Sequence, residues 1–538
     1  MNKEISIPAD ESYAPSVKLR AGGISAIFEE GRLRYLYAGD TEIIRMVYPA
    51  LRDENWSTIT SIRSDEKISL QQESFSISYS ALYESGAIRY KAFYKIEGHP
   101  DHSISFSMRG EALSSFLKRR IGLCVLHPIE TFSGRDIEVM QPDGIHYLSD
   151  FPSFVSPFQP FLDVQHMKWT TANSTAVEIT YEGAIFETED QRNWSDNSYK
   201  TYSTPLSFPA PAMVKMGDVV EQKITIRADT KNTKLKKPTE EKRIKLPFPS
   251  IGYGRAKDHQ KFTAVQMELL KKIPFNHYSI LLELSNDWKS TLEEAADEAR
   301  SLSVTLELAI RFESTNKEAI HAVIEALRPL GKLVSSVLIL LAGKETAPKD
   351  FFEQCYTLLK TAFNKLPIGY GTNDHFADLN RNRPTEIPYD FVNFHIQPQV
   401  HTTDNRSIME NLSSHESLVA SINKITSDKP VHVSPVTFCG QGNDDKRFRT
   451  HFAGWWTLLA LRNLSAASSL TFYEVTGNMG LINDSGVTPV YQLLETIQSF
   501  LPMYIYQHTG NKVILENSAG DQLVFTSKTN PPDAAAIN

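Results

Sequence analysis

Between Asn393 and His401, apolar and polar residues alternate for nine positions: Asn393, Phe394, His395, Ile396, Gln397, Pro398, Gln399, Val400, His401. On a strand, successive side chains point to opposite faces, so one face would be Phe/Ile/Pro/Val and the other Asn/His/Gln/Gln/His. A solvated sheet face normally carries Lys, Glu or Thr. A row of neutral hydrogen-bonding groups suits a lumen that holds a small polar ligand. Further along, Glu474 stands in Phe472-Tyr473-Glu474-Val475-Thr476-Gly477. A carboxylate in a partly dry aromatic setting has its pKa raised and can serve as general base or acid. His401 is the second candidate for that work and Glu283 the third.

These groups need a frame that brings distant segments together. From Pro249 onward, strand-like and helix-like stretches alternate. Ile251–Gly254, Tyr278–Leu284, Val304–Phe312, Val334–Ala342, Ile368–Thr372, Phe391–His401, Val431–Phe438 and Leu470–Thr476 read as strands. Helical patterns follow most of them, and the second helix is expected to open at Ser290, with Glu293 in capping-box spacing. Only the fifth unit shows no clear helix. Eight such units over residues 249–500 predict a (β/α)8 TIM-type barrel. An open dinucleotide-binding sheet would need a G-x-G-x-x-G turn, and Gly252-Tyr253-Gly254-Arg255 is not one.

In a barrel the chemistry sits at the C-terminal ends of the strands. That rule gathers Asn373, Asp374, Asn380, Arg381, Gln397, Gln399, Arg311 and Thr437 as substrate-binding candidates around Glu474, His401 and Glu283. Arg311 can pair with Glu283 or with Glu307, and the deeper Glu307 reads as structural. No H-x-H, H-E-x-x-H or C-x-x-C spacing occurs, so neither a metal nor another cofactor is expected.

Residues 1–228 have another rhythm. Short alternating segments, such as Ser74–Ser80 and Ile88–Ile96, recur between turn residues, which predicts an N-terminal antiparallel β-sandwich. Residues 229–248 are rich in Lys, Thr, Glu and Pro and read as a linker. Residues 501–538 form a short C-terminal β segment, with a hairpin pairing Lys512–Glu516 with Gln522–Thr526 and a frayed tail after Asn530.

The 538 residues allow two to four domains, and a formal net charge of -8 argues against nucleic acid or an anionic membrane as partner. No stretch approaches the roughly 20 apolar residues that span a bilayer. Met1–Ile5 lacks the apolar run of a signal peptide, and three scattered cysteines are a poor disulfide framework. A cytoplasmic enzyme is expected, and a homo-oligomer is compatible with the sequence.

Two stretches of the N-terminal half mix charge with aromatic residues, Arg52–Trp56 and Phe186–Tyr202. With Gly122–Pro128, Leu379–Pro384, Gln397–His401, Ser434–Thr437 and Tyr473–Gly477 they resemble the D-apionate lactonase family. The resemblance spans both large domains and implies an N-terminal β domain, a TIM barrel and a small C-terminal β domain. It also implies hydrolysis of D-apionolactone to D-apionate in the catabolism of the branched sugar apiose. It assigns no catalytic residue. A glycoside hydrolase using Glu283 and Glu474 as its carboxylate pair, or a non-catalytic carbohydrate-binding protein, are the alternatives.

Overall fold

The computed structural model describes residues 3–172, 174–229, 243–440, 445–483, 486–508 and 510–528. Most of the expected linker and the whole tail after Asn530 fall outside these ranges. The chain divides into two compact units. One comprises residues 13–191 and 197–239; the other comprises residues 1–12, 192–196 and 240–531.

The first unit is built from two nine-stranded sheets of antiparallel strands. Burial along Phe75–Ser85 alternates residue by residue for nine positions, as the two-residue period requires. Inward residues of both sheets, among them Leu36, Val47 and Leu123 from one and Ile77, Tyr94 and Ile226 from the other, form a single buried cluster. This is the expected β-sandwich.

The second unit contains a closed barrel of eight parallel strands. The strands are β1 (Ser250–Gly254), β2 (His277–Glu283), β3 (Thr305–Phe312), β4 (Val334–Leu341), β5 (Ile368–His375), β6 (Phe391–Ile396), β7 (Val431–Val436) and β8 (Ser469–Thr476). Each pairs with the next, and β1 closes the ring by pairing with β8. Several of the connecting helices start where a side chain satisfies an exposed backbone amide. Thr263 and Gln266 form a reciprocal capping box before Ala264–Leu270. The helix expected to open at Ser290 instead spans Trp288–Leu302, with Asp287 accepting from the Ser290 amide. A carboxylate caps as well as a hydroxyl, so the boundary moves back. The unplaced fifth helix is the short Phe376–Arg381.

Two expectations change. The strand expected to run to His401 stops at Ile396. Pro398 has no N–H to give a neighbouring strand, so the ladder ends and Gln397–His401 form a turn. Part of the expected linker, Ile244–Pro247, is a strand in a five-stranded sheet with Pro502–Gln507, Lys512–Asn517, Gln522–Ser527 and Lys3–Ile7. The hairpin of the last two C-terminal strands is present, and Lys3–Ile7 runs parallel to its outer strand. Among the described residues no helix is long and apolar enough to cross a membrane.

Candidate active site

Deep in the barrel, Glu307 organises a polar cluster. Its carboxylate accepts from the Ser469 hydroxyl at 3.1 Å and lies 3.6 Å from His277 Nε2 and 3.5 Å from His432 Nδ1. Burial opposes ionisation of Glu307, but His277, His432 and Ser469 outweigh it and hold the carboxyl at about 2. Phe391 stacks on His432 with ring centroids 4.0 Å apart. This layer closes the lumen below the strand ends.

Above it the barrel wall is two-sided. Ala309, Leu338 and Leu340 of β3 and β4 form an apolar cluster with Phe391. The side made by β5 to β8 is polar. Asn393 Nδ2 donates to Thr372 O at 2.8 Å and to Ser434 O at 2.9 Å, tying β5 and β7 to β6. Asn373 Oδ1 lies 3.4 Å from the same amide. His395 Nε2 and the Thr437 hydroxyl are 3.0 Å apart. Gly371, at φ +144°, allows β5 to come close to β6; a Cβ there would sit 2.2 Å from Asn393 O. The irregular register that follows sets His375 opposite His395, with their rings 5.6 Å apart and nearly parallel.

The short segment Arg192–Asp196, far away in sequence, belongs to this unit and walls the mouth. Asn380 Nδ2 donates to Asn193 Oδ1 at 3.0 Å, and the Ser414 hydroxyl donates to Ser195 O at 2.9 Å. The Trp194 ring then meets His375 at 5.1 Å and His401 at 6.1 Å, with the Arg381 guanidinium 5.7 Å from its centre. Asp196, nearly fully buried, accepts from Asn411 Nδ2 at 2.8 Å and binds His401 Nδ1 through its other oxygen. That bond orients the imidazole and makes Nε2 the basic nitrogen.

Glu474 owes its position to a distortion of β8. Tyr473 has φ +42°, its hydroxyl bonds Thr457 of the outer helix at 2.6 Å, and the β1–β8 register slips beside it. Both Phe472 and Tyr473 are therefore buried, and the alternation restarts at Glu474. Burial raises the Glu474 pKa, with repulsion from Asp258 adding to it. Burial likewise pushes Asp378 up to about 7, helped by Asp374 and Glu345.

The other sequence candidates have settled partners. Glu283 forms an ion pair with Arg311 at 2.7 Å and accepts from Asn286 at 3.2 Å. Gln399 donates to Phe438 O and to Asp445, both at 2.9 Å, and so braces a loop. Gln397 and Gln399 therefore do not form one polar row with His401. Asn380 is buried and receives Arg383 at 2.8 Å, so it supports the Arg192–Asp196 wall. Asp374 is exposed beside His375, 3.6 Å from its Nε2. The strand-end rule missed Asp196, Trp194 and His395, whereas His375 was in view in the polar segment that follows the fifth strand. His395 was in view as part of the alternating segment, and Trp194 and Asp196 as part of the charged aromatic stretch, but neither stretch predicts which barrel strand it meets. A separate cavity of about 410 Å³ is lined by Phe248, Leu270, Lys271, Asn276, Gln498 and Leu501 among others, with no carboxylate, histidine or cysteine among its lining residues.

Models of the D-apionate lactonase N-terminal domain and the D-apionate lactonase TIM barrel domain match residues 5–231 and 251–443. The chain belongs to the D-apionate lactonase family. A curated D-apionate lactonase from Brucella anthropi is 26% identical over 519 residues, covering 88% of this chain and 85% of that protein. Solved structures resembling this family member include a glucosidase from Croceicoccus marinus, at 13% identity over 51% of this chain and 73% of that one, TM-score 0.36. A family 51 α-L-arabinofuranosidase from Bifidobacterium longum is 10% identical over 52% of this chain and 79% of that one, TM-score 0.37. Scores this low say nothing about the reaction.

Proposed function

We propose that this protein hydrolyses a sugar lactone, D-apionolactone, to D-apionate in apiose catabolism. It is a carboxylic-ester hydrolase. Family membership supports the reaction class, and the Asp196–His401 pair at the barrel mouth is the observation that supports the mechanism. His401, its Nδ1–H given to Asp196, takes a proton at Nε2 from a water molecule as the water oxygen bonds to the lactone carbonyl carbon. The carbonyl π electrons move to oxygen, and Arg381 and Asn373 are the donors assigned to that oxyanion and to the sugar hydroxyls. Collapse breaks the bond from the carbonyl carbon to the ring oxygen. The departing alkoxide takes a proton from Glu474, whose raised pKa suits it as an acid, and the carboxylic acid product ionises. Trp194 offers a flat face for the sugar's C–H surface.

Glu283 is less suited to the glycosidase alternative because Arg311 and Asn286 occupy its carboxylate. The deciding experiment incubates the protein with D-apionolactone under pH-stat control and, in parallel, with aryl glycosides. Acid release without liberation of the aryl alcohol is the expected result. The reverse pattern would replace the lactonase with a glycosidase, and inactivity on both would leave a binding protein. All three cysteines are buried, which suits the reducing cytoplasm we assign to it.

A further inference from the structure

We infer that Asp374, His375 and His395 form a binding site for one divalent transition-metal ion of the zinc type at the C-terminal ends of β5 and β6. One donor atom of each side chain lies within 4.8 Å of the other two. Modest side-chain rotation closes such a group around an ion held at about 2.0–2.2 Å from nitrogen or oxygen. The backbone sets up the convergence. His375 and His395 are register partners on adjacent parallel strands, so their rings leave the sheet side by side. Asp374 would ordinarily point the opposite way. The broken register between Gly371 and His375, and the helix that starts at Phe376, bring its carboxylate to 3.6 Å from His375 Nε2.

Two further observations point to a ligand and not to a finished polar cluster. His375 Nδ1 is a buried atom without a hydrogen-bond partner among the described residues. Polar atoms withdrawn from water are normally satisfied, and exceptions call for an unseen partner. The His395 ring is also braced from outside by Thr437 at 3.0 Å, the kind of second contact that orients metal-bound imidazoles. The donor set decides the class of ion. Two imidazoles and one carboxylate suit zinc, cobalt, manganese or ferrous iron, whereas calcium and magnesium favour all-oxygen sites. Three protein ligands leave a position for water or substrate, and the Asp374 side chain, 70% exposed, opens the site to solvent.

Trp194 touches both His375 and His401, so an ion here would stand beside the catalytic pair. Its role as the Lewis acid on the lactone carbonyl rests on the lactonase reading. The binding of the ion does not.

The test uses the full-length protein after chelator treatment and dialysis. Zn²⁺ titration followed by calorimetry should give one ion per chain, and Co²⁺ should develop the visible absorption of a low-symmetry site. Asp374→Asn, an exposed change that leaves the core untouched, and His375→Gln should each weaken Zn²⁺ by about tenfold or more. His401→Asn, across the indole, should bind as wild type does. Bound Zn²⁺ should raise the thermal midpoint of the wild type and not of Asp374→Asn. Wild-type protein that takes up no stoichiometric ion, or Asp374→Asn and His375→Gln proteins that bind it undiminished, would overturn the site. Lactone hydrolysis by an ion-free, non-binding wild type would do so while sparing the lactonase reading. Ion binding by a protein inert toward lactones would uphold the site and sink that reading.

Discussion

At the scale of single residues, the pairing of His401 with Asp196 makes the sharpest demand. Replacing His401 by Asn removes the proton acceptor and should lower kcat by about 10² to 10⁴-fold, with a smaller change in KM. Asp196→Asn leaves the imidazole in place but offers its Nδ1 an amide, which favours the wrong tautomer, so kcat should fall by about 10²-fold or more. Steady-state kinetics on the lactone, with near-ultraviolet circular dichroism to confirm folding, settles both; full turnover in Asp196→Asn would remove the pair from the mechanism. Glu474 supplies a pH signature. Burial holds its pKa above the ordinary 4.5 of a glutamate, and as the proton donor it stops working once deprotonated. Turnover should therefore decline as pH rises through that raised pKa, and Glu474→Gln should be slower overall and lack that limb. A variant whose pH–rate profile matches the wild type would discharge Glu474 from the role. The candidates seen from sequence and those in the structure differ for one reason. Polarity and strand-end position put forward His401, Glu474 and Asn373, but could not show that Asn380, Gln399 and Glu283 were already committed to neighbours. Side-chain partnership is a tertiary property, and no local pattern encodes it.

At the scale of elements, the eight strands were legible because strand and helix periods alternate so regularly after Pro249. The errors fall where local chemistry overrides the period: the proline that ends β6, the aspartate that caps ahead of Ser290, and the short helix after β5. The barrel floor adds a stability prediction. Glu307 is held at about 2 in the folded protein against an ordinary 4.5. A carboxyl depressed in this way stabilises the fold above pH 4.5 and loses that contribution as pH falls toward 2, a difference of about 3 kcal/mol. Glu307→Gln should thus unfold at a distinctly lower temperature than wild type at pH 7, and the gap should narrow steadily below pH 4.5. A gap that stays constant across that range would mean that the glutamate contributes shape and not charge.

At the scale of the whole molecule, the sandwich and the barrel were both readable, whereas the discontinuity of the barrel unit was not. Sequence proximity put residues 1–12 and 192–196 within the N-terminal β domain of residues 1–228, although the mixed charged and aromatic residues of Phe186–Tyr202 already pointed to a segment lying against another surface, either the barrel mouth or a ligand. The structure instead assigns residues 192–196 and 1–12 to the barrel unit. Such long-range choices depend on which surfaces fit, and a single sequence does not display that. The cysteines test the closure of both units together. Cys124 lies in one and Cys355 and Cys439 in the other, all buried. A thiol reagent should label none of them in the native protein on the time scale of minutes and all of them in denaturant; rapid native labelling would show that one unit opens readily.

The strand Lys3–Ile7 also has a consequence in time. Its parallel partner is Gln522–Ser527, so it pairs with a strand that is made about 520 residues later, Lys3 facing Leu523. At roughly 5–20 residues per second, a separation of that size takes about half a minute to two minutes to synthesise. The sandwich, whose strands lie between residues 17 and 228, can close early in that interval. Lys3–Ile7 cannot, and must wait with its hydrogen-bonding edge unused until its partner has been made. Its sequence, Lys3-Glu4-Ile5-Ser6-Ile7, carries a charged pair and little apolar surface, and so suits a nascent segment that must stay soluble until its partner arrives.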